Sequence, residues 1–222
     1  MAPPAPERMD RRRVRTRAAL LEAGKALFSV RSVDGVSIDD IVSQAQVAKG
    51  SFYNHFPDKD ALAQELASHA RTGVEALAAR LVVGVADPAE RVARCLCGFA
   101  RQALEDPVGV RVQLRLFQGA AIPDAPMNAG VRADVAAGLS AGRFSGLTQE
   151  AGVLLAVGVV QIAVSRLLTQ DNPKQAASLS RELAFGLLRG LGLDTPSAKA
   201  IAAKASADIF ASPARPTQES RP

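Results

Sequence analysis

VSIDDIVSQAQVAKGSFYNHFPDKD, residues 36–60, decides the fold. Ser37-x-x-Asp40 is a capping-box spacing: a hydroxyl placed to accept from a free backbone N–H, and a carboxylate three residues on to answer it. A helix opens there, with Ile41, Val42 and Ala45 as its inner stripe. A short turn at Gln46-Val47 leads into a second helix over about 48–55, which Pro57 stops. Asp58 is an N-cap for a long helix from Lys59 to about residue 82, with Ala61, Leu62, Leu66, Leu77 and Leu81 recurring along it. Upstream, Val14, Ala18, Leu21 and Phe28 recur at helical spacing over about 9–31. The spacing therefore predicts three short-range helices closed by a fourth.

The chain has eight Phe, one Tyr and no Trp, yet Phe52, Tyr53 and Phe56 fall within five residues beside His55. Phe52 and Phe56, four apart, share one stripe and complete a miniature core with Ile41, Val42, Ala45 and Val47. A unit this small has little interior, so large rings give the most burial per residue. Lys49, Gly50, Ser51, Tyr53, Asn54 and His55 lie off that stripe. They form a donor-rich surface of the kind that enters a DNA major groove. Helix, short turn, helix is the matching unit. Residues 8–17 add six arginines against one aspartate, and the whole chain carries a formal net charge of +5. An anionic partner follows naturally.

The run from Val36 to Leu66, with its Ser37 cap, Ile41-Val42, Ala45, Val47, Gly50-Ser51-Phe52-Tyr53, His55-Phe56 and Lys59-x-Ala61-Leu62, resembles the N-terminal signature of the TetR family of transcriptional regulators. The resemblance implies that Lys49, Gly50 and Tyr53 meet bases. It places Ser37, Ser51, Asn54, His55 and Lys59 on phosphates, with reading of adenine a second role open to Asn54. Arg13 and Arg17, before and within the first helix, are placed there too. It further implies a homodimer on a palindromic double-stranded operator, a small-molecule effector that releases it, no cofactor, no metal, and a cytoplasmic location. A repressor is the expected form. An activator or a regulator without a ligand would share the same head, and an enzyme is a remote alternative.

Beyond Asp87-Pro88, breakers delimit helices over 88–105, 107–119, 126–140, 148–170 and 173–192, with no period-2 alternation. The fold class is all-α: an N-terminal helix-turn-helix unit joined to a larger C-terminal helical bundle that dimerises. The expected organisation is a disordered extension at 1–8, a DNA-binding domain at 9–57, an effector-binding and dimerisation domain at 58–195, and a partly disordered extension at 196–222. Residues 196–210 allow one more Ala-rich helix.

The segment 148–170 is apolar on nearly all sides, so it has two partners. Leu155, Val159, Ile162 and Arg166, with Leu179, Leu183 and Leu187 from the next helix, are the expected dimer interface, as in the family. Its apolar run is interrupted by Gln161, Ser165 and Arg166, too short for a bilayer of about 30 Å. No signal peptide is visible and no membrane partner is expected. The resemblance places a pocket between the fourth and seventh helices. Leu96, Phe99, Leu114, Phe117 and Met127 are its candidate walls, Gln113, Gln118 and Asn128 its polar contacts, and His69 a link to the head. Such walls favour a largely apolar ligand. Cys95 and Cys97 point about 200° apart on a helix, so they neither pair nor chelate one metal.

Overall fold

The computed structural model describes residues 6–116, 125–169 and 172–211. Among these residues there are helices and no strand. Contacts divide the described residues into two compact units, one from those up to Arg71 together with 111–116, the other from those at 72–110 and from 125 onward.

In the first unit, α1 (Pro6–Phe28), α2 (Ile38–Gln44) and α3 (Lys49–Tyr53) pack with the first half of α4 (Lys59–Leu81). Leu20, Ala23, Phe28, Val36, Ile41, Val42, Phe52, Phe56, Leu62, Ala63 and Leu66 form its core. Leu116, at the end of α6 (Pro107–Leu116), packs on the same cluster. α2 opens on the expected reciprocal cap. Ser37 Oγ accepts from the Asp40 N–H at 3.1 Å, and the Ser37 N–H donates to Asp40 Oδ2 at 3.0 Å. These bonds, with Arg31, hold the Asp40 carboxyl below its ordinary range. α1 begins at Pro6, inside the stretch expected to be disordered, and α3 is shorter than the expected 48–55. Asn54 is its αR cap, and the His55 and Phe56 N–H groups still reach back to the Phe52 carbonyl.

The turn of the helix-turn-helix is a Schellman closure. Val47 N–H donates to the Val42 carbonyl and Gln46 N–H to that of Ser43, with Gln46 in the left-handed region at φ 54°. A Cβ is penalised there by about 1–2 kcal/mol. Gln46→Gly is expected to raise the stability of this unit by up to about 1 kcal/mol, read as a higher urea midpoint at unchanged slope.

The second unit is built on α5 (Pro88–Glu105), α7 (Ala129–Ser140), α8 (Gln149–Leu167), α9 (Pro173–Gly190) and α10 (Thr195–Ala211), with a single 3₁₀ turn at Pro126–Asn128 before α7. α10 begins at the expected boundary and continues the helical core past residue 195. Ala198, Ala202, Ala205 and Ile209 recur on its inner face and are buried in the main core against α5 and α9. Arg94 and Lys204 tie α5 to α10 through Asp208 and Glu90. Small side chains at helical spacing are easily read as a loose tail, whereas they allow close helix approach. α8 runs unbroken through Gln161, Ser165 and Arg166, and by length and composition it is long and apolar enough to cross a membrane. Here it packs on α5, α7 and α9, burying Val153, Ala156, Ala163, Val164 and Leu167.

α9 ends on Gly192, whose φ is 95°. The Ser145 N–H donates to the Leu191 carbonyl at 3.0 Å, bringing the α7–α8 loop against this turn. A Cβ on Gly192 meets Ser145 O at 2.4 Å and Ser145 N at 2.8 Å, both backbone atoms. Gly192→Ala is expected to destabilise the larger unit by about 2 kcal/mol or more, measured by denaturant unfolding. Burial pushes the thiols of Cys95 and Cys97 up to about 12, so neither is a thiolate at neutral pH.

Candidate nucleic-acid interface

α3 separates its two chemistries by side. Phe52 is fully buried and Phe56 nearly so, their ring centroids 5.8 Å apart. Tyr53 projects outward, 53% exposed, its ring edge-on to Phe52 at 5.6 Å. Lys49, Gly50 and Asn54 are exposed, and Ser51 and His55 half-buried. A Cβ on Gly50 finds no atom within 4 Å, so nothing inside the protein requires glycine there.

The expected phosphate set divides in two. Arg13 is exposed and close enough to His55 to act on it electrostatically. Burial first, then Arg13 and Arg17, lowers the His55 pKa, so the imidazole is neutral at pH 7 and is a donor without charge. Arg17 is instead engaged within the protein. Its guanidinium pairs with Glu65, stacks 4.6 Å above the Phe56 ring and donates to the His55 carbonyl at 3.3 Å. It ties α1, α3 and α4 together. Lys59 Nζ donates to the carbonyls of Asp34 (3.2 Å) and Val36 (3.1 Å), anchoring the α1–α2 loop with two of its three protons. Ser37 accepts in its cap, which leaves its own O–H available as a donor.

One neighbour of the site is not legible in the sequence. Asp39, in the first turn of α2, pairs with Lys49, with Nζ 2.8 Å from Oδ1 and 3.0 Å from Oδ2. This pairing raises the Lys49 pKa. Ten residues is no regular helical spacing, so only the angle between α2 and α3 brings the two together.

The expected effector residues belong to different units: His69, Gln113 and Leu114 to the first, and Leu96, Phe99, Met127 and Asn128 to the second. Phe117 and Gln118 lie outside the described residues. Leu96 has no exposed surface and packs in the core beside Ala93 and Cys97. In the expected dimer set, Ile162 is 69% exposed, Arg166 is exposed, and Leu155, Val159, Leu179 and Leu183 are half-buried. Leu187 is the exception. With Ala184, Leu188 and Leu191 it forms the inner stripe of α9 and is only 2% exposed. An open groove of about 440 Å³ between α8 and α9 is lined by Arg166, Gln175, Ser178, Leu179 and Glu182.

An all-α chain with a helix-turn-helix whose second helix is apolar inward and donor-bearing outward has the architecture of a bacterial transcription regulator. The family model "Bacterial regulatory proteins, tetR family" matches residues 20–66, and "Tetracyclin repressor-like, C-terminal domain" matches residues 87–204. The chain belongs to the TetR family.

Over 49 residues it is 45% identical to the HTH-type transcriptional repressor DhaR of Mycobacterium sp. (strain GP1). That match spans 22% of this chain and a quarter (25%) of the repressor's length. RolR in complex with resorcinol is 28% identical, with a TM-score of 0.55 covering 88% of this chain and 96% of that one. CprB from Streptomyces coelicolor, in complex with its biological operator sequence, is 25% identical, with a TM-score of 0.66 covering 90% and 98%.

Proposed function

We propose that this protein is a ligand-responsive, sequence-specific DNA-binding transcriptional regulator: a repressor that binds a palindromic operator as a homodimer and is released by a small molecule. The observation that carries this reading is the sidedness of α3, with Phe52 and Phe56 locked in the core while Lys49, Gly50, Tyr53 and Asn54 face outward. Lys49 and Tyr53 contact base edges, and Gly50 lets the backbone approach the groove. Arg13, Ser37, Ser51, Asn54 and His55 contact phosphates, while Arg17 and Lys59 brace the head that presents them.

Dimerisation is supported by the outer side of α8 and α9. Ile162 and Leu154 are exposed there, and a Cβ on Gly158 or Gly186 finds no atom within 4 Å. Isologous pairing of this face covers it. The effector is a small, largely apolar molecule, a reading supported by the likeness to resorcinol-bound RolR. It works in the cytoplasm, where the chromosome is.

Selection of bound duplexes from a random pool tests the reading. The expected outcome is an inverted repeat whose half-sites lie about 34–36 Å apart, or a multiple of that. A pool with no enriched sequence would sink it.

A further inference from the structure

We propose that Asp39 acts as a selectivity gate on DNA recognition, holding Lys49 in an ion pair that matched base edges replace and an arbitrary phosphate does not. The inference rests on α3 being the recognition helix.

The side chains of Lys49 and Asp39 are 54% and 68% exposed. An ion pair this wet contributes little to folding, and a carboxylate in the first turn of α2 adds only a modest stabilisation through the helix N-terminus. Asp39 lies two residues from the Ser37 cap, and the neighbouring carboxylate, Asp40, is already engaged by that cap and by Arg31. Asp39 is therefore the acid of the α2 N-terminus left to meet Lys49.

Non-specific binding arises from cations that neutralise phosphates. A lysine already neutralised adds little to it. In the matched site, guanine O6 and N7 take the ammonium at the groove floor, a position phosphates do not occupy. Discrimination thus comes from disfavouring the wrong complex as well as from favouring the right one.

Asp39→Asn keeps the shape and removes the charge. Dissociation constants of the full chain are measured across a salt series for the selected operator and for a random duplex of equal length. In the variant, random-duplex affinity is expected to rise about tenfold and its salt slope to steepen by about one ion for each head engaged, about two for the homodimer, while operator affinity changes by less than about threefold. In a Lys49→Ala background, Asp39→Asn is expected to leave the operator-to-random ratio unchanged. A wild-type protein that discriminates, with an Asp39→Asn ratio equal to it, overturns this inference alone. So does a ratio that narrows equally without Lys49. A wild-type protein that does not discriminate overturns the reading of α3 itself.

Discussion

Replacing Phe52 by alanine is expected to unfold the DNA-binding head. Phe52 has no exposed surface and touches both Tyr53 and Phe56 through its ring, at the centre of a cluster drawn from α1, α2, α3 and α4. Truncating a buried Phe costs about 3–5 kcal/mol, the lost transfer energy plus the cavity left behind. That is a large share of the roughly 5–15 kcal/mol that holds a whole domain. The loss falls on a unit whose recognition helix is only five residues long. Such a helix has no stability of its own and exists because its apolar side is packed. Thermal unfolding followed by circular dichroism is expected to show an early transition about 12–40 °C below the wild-type melt, at roughly 4–8 °C per kcal/mol for a unit of this size. Phe52→Leu keeps most of the volume and is expected to lose much less. A wild-type melting curve for Phe52→Ala would overturn the packing account.

The second large effect is on binding without loss of fold. Lys49→Ala with Tyr53→Ala removes the two outward groups one turn apart on α3. Each good base contact is worth about 1–3 kcal/mol, and two adjacent ones combine less than additively. Operator affinity is expected to fall by about 10²–10³-fold, with a much smaller change on random DNA; the melt is expected to drop by no more than about 10 °C, the share of the Tyr53 ring that packs edge-on against Phe52. Gly50→Ala sharpens the test. A methyl there meets no protein atom within 4 Å, and alanine is the better helix former by about 0.5–1 kcal/mol. The variant is therefore expected to be slightly more stable and yet to bind the operator less well, because the added methyl stands where the groove must approach. Retained operator capture in the double variant would remove α3 from the recognition role.

Local chemistry made much of this molecule legible beforehand. The Ser37–Asp40 cap and the breakers at Pro57, Asp87-Pro88 and Asn172-Pro173 set the helix limits, because each acts within a few residues; the structure adds side-chain caps from Asp87 and Asn172. The inward rings of α3 and the outward Lys49 and Tyr53 followed from the 3.6-residue period alone. Leu96 and Leu187 mark the limit of that signal, since both are buried in the core of the larger unit. Periodicity says that a residue lies on an apolar stripe, but not whether that stripe meets a filled core, a cavity or another copy. α10 was missed as core because alanines carry little hydrophobic signal singly, although in a close-packed helix pair they bury completely.

Caps, breakers and period are local, and they were enough to set the helices, their sidedness and the residues that α3 presents. The tertiary structure decided which charges are already taken. Arg17 is bound to Glu65 and Phe56, Lys59 to the carbonyls of Asp34 and Val36, and Lys49 to Asp39. Those pairings join residues 10 to 48 positions apart. Only the packing of one helix on another brings such residues within the few ångströms over which a hydrogen-bonded ion pair forms.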